Sequence, residues 1–379
     1  LWHTLSLHDA LPIYLGFHGY PRETSPALDA LAAESIVFEN AVSASSWTTP
    51  AHASMFTGLE PSDHGLIYYK RPGRLGREPP TVAGLLRRAG YRTAGFHGGG
   101  YVSAEFGLGR GFDLYRSASR FFAENLEAAL DWIDDGGRAP FFVFIHGYDV
   151  HRPYDHFERN EWVDPVAGYD VREFCTTPES KRIDDERVLD YVIAQYDAGI
   201  RHVDALLGDF FEEIEEAGLF DSTVIVVTSD HGDEFFEHGL CDHKHSVYRE
   251  LVHVPLVVRL PSAVARREPR RVPASTALLP TLLGVTRARE RIGDDRRARG
   301  DRDEHDLVAL LRDPARSIER VVSETGRRFE TTQYWKGVTA PRHKLIWSSV
   351  DGEEGLELYD LLSDPGEQRD LAGARADVV

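Results

Sequence analysis

The chain has 379 residues, 42% of them apolar and 28% charged, with a formal net charge of -19. That length suits one large α/β domain plus a smaller appendage, and the composition is that of an ordinary globular protein. The acidic balance and the lack of a basic stripe argue against a nucleic-acid partner. No apolar stretch approaches the length of a transmembrane span. The two cysteines, Cys175 and Cys241, lie far apart in sequence. They argue against a disulfide framework and leave the compartment open.

Residues 1–13 have neither the basic start nor the apolar centre of a signal peptide. They also lack the continuous apolar run of a first core strand, and they resemble translated sequencing-adapter DNA. The expectation is that this segment is non-native, a truncated start standing outside the fold. A catalytic α/β domain over 14–286 would follow, then a charged linker and small C-terminal α+β subdomain over 287–379.

From Tyr14 onward, strand and helix signals alternate. Ser25-Pro26 opens a helix through Leu28, Leu31 and Ala32. Ile36 to Ala41 reads as a strand, Ala51 to Thr57 as a short helix stopped by Gly58, and Thr81 to Ala89 as another helix. A strand over Tyr91 to Phe96 is followed by three glycines. Ser119 to Asp135 is amphipathic, and Pro140 introduces the buried strand Phe141 to Ile145. His156 to Glu186 is polar and loop-like, a lid or substrate-facing excursion. Leu189 to Ala217 is a long helix leading into the strand at Thr223, and Val254 to Leu260 is a further strand. Arg287 to Arg302 is dense in charge. Four short strands follow, Arg320 to Thr325, Tyr334 to Val338, His343 to Trp347 and Leu356 to Tyr359, which predict a small antiparallel sheet.

Two stretches carry chemistry. Thr223-Val-Ile-Val-Val-Thr228 is a β-branched run that breaks into Ser229-Asp230-His231-Gly232. Chemistry in open α/β sheets sits just beyond the carboxyl ends of such strands. A carboxylate beside an imidazole there suits a divalent cation such as Zn²⁺ or Mn²⁺. The plainer alternative is a strand ending in a turn with solvated side chains. The second stretch is Ser45-Ser-Trp-Thr-Thr-Pro-Ala-His-Ala-Ser54. It places the Thr48 hydroxyl at a helix N-terminus, where free N–H groups and the helix dipole favour an anion. A threonine hydroxyl needs a metal or base to become a nucleophile. Thr48 or Thr49 as a simple helix cap is compatible with that role.

Taken together, these motifs make the chain resemble the sulfatase family of the alkaline phosphatase superfamily. The resemblance rests on Gly19-Tyr-Pro-Arg-Glu-Thr-Ser-Pro26, Trp47-Thr-Thr-Pro-Ala-His52, Ser229-Asp-His-Gly232, Lys244-His-Ser-Val-Tyr248 and Glu357-Leu-Tyr-Asp-Leu-Leu-Ser-Asp-Pro365. It implies a large, mostly parallel mixed sheet sandwiched by helices, with a small C-terminal antiparallel sheet. It also implies one divalent metal ion (Ca, Mg, Mn or Zn) and a small-molecule or glycan- or lipid-linked anionic ester as substrate. Thr48 falls on the nucleophile, Asp230 and His231 on metal ligands, and Lys244 on a lysine that contacts the substrate anion. His151 falls on a substrate-facing or acid/base histidine. His52 and His243 are candidate substrate contacts.

The chain departs from the family pattern in four places. Sulfatases carry cysteine or serine at the nucleophile, which oxidises to an aldehyde, and threonine cannot. His52 stands where an arginine is usual. The Lys-Trp-His run of many sulfatases is absent near His97. Asp9 is out of register with the family's aspartate-rich first strand, so the metal site is expected to lack a carboxylate. The leading expectation is phosphoryl transfer through Thr48, of a phosphomonoester, phosphodiester or phosphoethanolamine type. Hydrolysis of a sulfuric ester is the alternative, and an impaired anion- or partner-binding protein a third. His238, His243 and His245 could line the pocket or bind a second cation, Glu234 and Glu237 read as solvated charges, and His18 has no assigned role.

Overall fold

The computed structural model describes residues 2–378 apart from 70–72, 138, 156–159, 177–182, 184, 262–273, 276–280, 283, 285–306, 308–312, 314–317, 329–331 and 376–377. The charged segment Arg287 to Arg302 lies outside these residues. The main sheet has seven strands in the order Ile36–Val37, Leu256–Arg259, Val224–Thr228, Trp2–Leu7, Phe141–Gly147, Arg92–Phe96, Leu114–Arg116. The five from Val224–Thr228 onward are parallel, and Leu256–Arg259 runs antiparallel to both neighbours. This is the mixed, mostly parallel sheet expected.

The expectation that residues 1–13 stand outside the fold is corrected. Trp2–Leu7 is the central strand, paired in parallel with Phe141–Gly147 on one side and Val224–Thr228 on the other. Alternation explains why an apolar run is not needed. Leu5 and Leu7, at 0% and 2% exposure, join Phe141, Val143, Ile145, Ile225 and Val227 against the helices Pro26–Ala33, Phe122–Asp134 and Glu186–Glu216. Thr4 and Ser6 point to the other face, where the Ser6 hydroxyl lies 3.5 Å from His52 Nε2. Phe142, Phe144, Val224 and Val226 line that second face, against the helices Thr48–Thr57 and Val82–Arg88. Each fully buried leucine contributes about 1.5–3 kcal/mol.

Helix positions follow the sequence reading, with one shift that matters. The helix expected from Ala51 begins at Thr48, so Thr48 is its first residue and Pro50 its third. The strand expected over Ile36 to Ala41 is broken into Ile36–Val37 and Ala41–Val42. Pro255 divides His253–Val254 from Leu256–Arg259, because it has no N–H to give a ladder.

The C-terminal sheet runs Glu353–Asp360, His343–Val350, Thr332–Thr339, Val321–Arg328, all antiparallel. Its far edge is completed by Tyr68–Tyr69, parallel to Val321–Arg328. Cys175 and Cys241 are joined in a disulfide, which corrects the reading of the cysteines: a separation of 66 residues is bridged by the tertiary fold.

A charged histidine joins the two sheets' surroundings. His238 stacks on Tyr248 at 3.8 Å, with Nδ1 2.6 Å from Glu250 Oε1 and Nε2 2.8 Å from the Glu367 carbonyl. Burial works against its charge, but the Glu250 carboxylate and the Glu367 carbonyl overrule it and push its pKa up to about 9. A folded pKa above the unfolded value of 6.5 gives stability that is complete below that value and is lost as pH rises through about 9. The melting temperature of the wild type should therefore exceed that of His238→Gln at pH 6, with the gap closing by pH 10. A gap that stays constant over that range would remove His238 from this role.

Candidate functional site

The site forms where three parallel strands end. Trp2–Leu7 delivers His8 and Asp9, Phe141–Gly147 delivers His146 and leads to His151, and Val224–Thr228 delivers Ser229, Asp230 and His231. This is the crevice beyond strand carboxyl ends that α/β sheets use for ligands. The chain turns sharply at Asp9, which has φ 60°. Tyr196, from the Glu186–Glu216 helix, fixes that turn. Its hydroxyl donates to the Asp9 carbonyl at 2.7 Å and accepts from Leu11 N at 2.9 Å. Ser43 donates to the Asp230 carbonyl, and Ser229 donates to the His231 carbonyl at 2.7 Å.

Thr48, Asp230 and His231 meet although 183 residues separate the first from the last. Thr48 Oγ1 lies 3.4 Å from His231 Nε2, and Asp230 Oδ2 is 3.4 Å from the same nitrogen. The helix has Trp47 at its N-cap, with no side-chain cap hydrogen bond, and the Thr48 hydroxyl is directed at His231. Thr49 points away and donates to the Tyr101 carbonyl at 2.7 Å.

His8 and Asp9 were not assigned by sequence, and both are here with 0% exposure. His8 Nδ1 is 2.9 Å from Asp230 Oδ1, and His8 Nε2 is 3.4 Å from Asp9 Oδ2. Asp9 Oδ1 is 2.8 Å from His231 Nδ1. The expected shortage of a carboxylate is thus corrected: the turn after the central strand brings Asp9 in despite its register. The signal was present in Ser6-Leu-His-Asp9, polar chemistry closing an alternating segment.

A cation fits this donor set. Ligand atoms of His8, Asp9, Asp230 and His231 lie within 4.8 Å of one another. Buried His8 Nε2 and Asp9 Oδ2 have no hydrogen-bond partner, and Asp9 Oδ1 meets His231 Nδ1 at 2.8 Å without the alignment of a hydrogen bond. Two carboxylates and two imidazoles suit a divalent metal. The electrostatics agree. Burial, then the nearby Asp233 charge, pushes the Asp9 carboxyl well above the usual range. Burial also opposes ionisation of Asp230, yet the His231 and His8 imidazoles outweigh it and hold that carboxyl well below its ordinary value. A cation would relieve this crowding of buried acids.

The remaining candidates surround that centre. His52 Nδ1 is 2.8 Å from the Thr48 carbonyl and 3.6 Å from Asp230 Oδ2. Burial lowers its pKa, so it is a neutral ring where an arginine is usual. His151 stacks on His8 at 5.0 Å, with Nε2 3.9 Å from Asp9 Oδ2. Burial, then the charge of His243, brings its pKa down to about 3. His243 lies with Nδ1 2.5 Å from Asp233 and 2.8 Å from Asp242, while its buried Nε2 has no partner. Burial and Lys244 oppose its charge, but the two carboxylates prevail and raise its pKa. Lys244 adopts φ 79°, donates its N–H to the Ser46 carbonyl at 3.2 Å, and sets Nζ 3.7 Å from Asp242 Oδ1. That left-handed backbone is rare for a side-chain-bearing residue and aims the ammonium locally.

His146, which sequence reading left without a role, is buried 5.0 Å from the His8 ring, with both ring nitrogens unpaired. His238 and His245 are paired with Glu250 and with Glu234, and Glu234 is fully buried, not solvated as expected.

The sulfatase family profile matches residues 5–288. The chain is 23% identical over 412 residues to a Delta 4,5-hexuronate-2-O-sulfatase of Bacteroides thetaiotaomicron, covering 94% of this chain and 81% of that protein. In fold it matches the solved structure of a 2-O GAG sulfatase at TM-score 0.78 and 20% identity, covering 100% of this chain and 88% of the other. It matches a phosphonate monoester hydrolase of Agrobacterium radiobacter equally well, at TM-score 0.78, 19% identity and coverage of 100% and 92%. Among the described residues no helix is long and apolar enough to cross a membrane. The chain belongs to the sulfatase family, as a sulfatase-like ester hydrolase.

Proposed function

We propose that the chain hydrolyses sulfuric esters of saccharides, with Thr48 as nucleophile, and not phosphoryl esters as its threonine first suggests. The observation that carries the reading is the Thr48 hydroxyl 3.4 Å from His231, at a helix head and beside the Asp9–Asp230 pair. One ammonium, Lys244, and one imidazole, His243, whose Asp233 and Asp242 partners favour its protonated form, suit a singly charged sulfate ester better than a doubly charged phosphate monoester. The hexuronate sulfatase relative supports the same class of ester.

His8, Asp9, Asp230 and His231 would hold the divalent metal. Bound there, it would supply Lewis acidity, lowering the pKa of the threonine hydroxyl and offsetting charge on the transferred group. The Thr48 hydroxyl gives its proton to water. Lys244 binds non-bridging oxygens, and the helix N-terminus adds its dipole. The Thr48 oxygen attacks sulfur, a Thr48 O–S bond forms, and the ester S–O bond breaks. The leaving oxygen takes the Nε2 proton of His243, which Asp233 and Asp242 hold in place. Water then attacks sulfur, gives one proton to the now neutral His243 and the other to the Thr48 oxygen, the Thr48 O–S bond breaks, and sulfate leaves. His151 is neutral, and with its Nδ1–H given to the Arg152 carbonyl its Nε2 is left as an acceptor able to hold a substrate hydroxyl. His52 holds the Thr48 backbone in register.

A second reading keeps the residues and changes the ester. Threonine has no route to the aldehyde of true sulfatases, and a phosphonate monoester hydrolase shares the fold. Turnover of glucose 6-sulfate, phenyl phosphate and phenyl methylphosphonate by metal-loaded enzyme decides between them. The sulfate ester should be hydrolysed fastest. Turnover of only the phosphorus esters would reverse the order of the two readings.

A further inference from the structure

Beside Thr48 stand aromatic rings that the reaction steps above leave unused. Trp47 is fully buried, its Nε1 donating to the Ile67 carbonyl at 3.0 Å. Tyr69 and Tyr101 lean on it edge-on, at 5.8 Å and 5.7 Å, and on each other at 5.6 Å. Both tyrosines are partly exposed. The Lys244 ammonium sits 5.1 Å above the Tyr69 ring. Three elements hold these rings in place. Thr49, next to the nucleophile, donates to the Tyr101 carbonyl. Phe106 stacks on Tyr101 at 5.8 Å. The C-terminal sheet carries Tyr68–Tyr69 as its edge strand, and Tyr68 packs where a Cβ on Gly326 would come within 2.7 Å. Tyr68 thus faces the sheet, and alternation turns Tyr69 to the site.

We propose that Tyr69 and Tyr101 form the leaving-group subsite and bind a saccharide ring, seated by its apolar C–H face with its hydroxyls toward solvent. The inference rests on the saccharide-ester reading of Thr48 and names the residues that seat the saccharide and select it. Tyrosine suits the task physically: it offers rigid, half-exposed apolar area with a polar edge, at little conformational cost. With the ammonium set over Tyr69, an ester oxygen held by Lys244 would leave its saccharide beside the Tyr69 ring, so one position selects the anion and the next selects the ring. It also gives the C-terminal sheet a part in specificity, since that sheet sets the Tyr69 position.

The test compares Tyr69→Leu and Tyr101→Leu with wild type on three sulfate esters: glucose 6-sulfate, 4-nitrophenyl sulfate and ethyl sulfate. Each variant should lower the kcat/KM ratio of glucose 6-sulfate to ethyl sulfate about tenfold, mainly through KM. An unchanged ratio overturns the proposal. A ratio that falls only for 4-nitrophenyl sulfate also overturns it, assigning the subsite to flat aryl groups. If the wild type hydrolyses none of the three, the reading of Thr48 fails separately. Saturation-transfer NMR on glucose 6-sulfate then decides the subsite: transfer to ring C–H protons that is lost in Tyr69→Leu sustains it, and no transfer in the wild type overturns it.

Discussion

Asp230→Ala is expected to abolish both metal binding and turnover, the latter by roughly 10³-fold or more. Asp230 is fully buried, and its carboxylate faces three imidazoles: His8 at 2.9 Å, His231 at 3.4 Å and His52 at 3.6 Å. Removing it takes away one of the two carboxylates that balance a divalent charge there. It also strips His8 of the partner that orients its ring. Asp230→Asn separates charge from shape, because the amide fills the same space and can still meet His8. Elemental analysis of the purified proteins should find about one metal ion per wild-type chain, and little in either variant. Breaking a buried charged pair costs about 3–5 kcal/mol, so thermal unfolding of both variants must accompany the assay. Full metal content in folded Asp230→Asn would take Asp230 out of the metal set.

Much of this site was legible because strand ends announce themselves. The run Val224–Thr228 is apolar and β-branched, and it stops at Asp230-His231, so a long buried strand delivering polar ligands was readable from adjacent residues. Thr48 was readable for a different reason: Pro50 marks a helix start, and a helix start favours anions. The central strand was not legible. Its face toward the Thr48–Thr57 helix carries Thr4 and Ser6, because His52 needs a polar neighbour there, and only Leu5 and Leu7 show the apolar period. Two leucines in six residues do not distinguish a strand from a loop. Asp9 was hidden by the same difficulty, since counting from a family pattern assumes a register that a turn with positive φ can change. The Cys175–Cys241 bond and the buried Glu234–His245 pair are tertiary facts with no local sequence signature.

Thr48→Ala should cut kcat by roughly 10³-fold or more while leaving the bound metal in place. That combination distinguishes it from Asp230→Ala, which loses both. The physical ground is that alanine keeps the helix and its N-terminal dipole but removes the oxygen 3.4 Å from His231 Nε2. Thr48→Ser restores the hydroxyl at the same point, losing only the methyl that limits its rotamers, and should stay within about tenfold of wild type. Rapid quenching during turnover, followed by peptide mass analysis, should find the transferred group on the peptide containing Thr48 in wild type and not in Thr48→Ala. Thr49 serves as the internal control, because its hydroxyl is committed to the Tyr101 carbonyl at 2.7 Å and faces away from the acids. If Thr48→Ala turned over as fast as wild type, the attacking oxygen would have to be water. Thr48 would then be a helix-terminal residue lining the site, and the convergence of Asp9, Asp230 and His231 would remain as a metal centre acting on water directly.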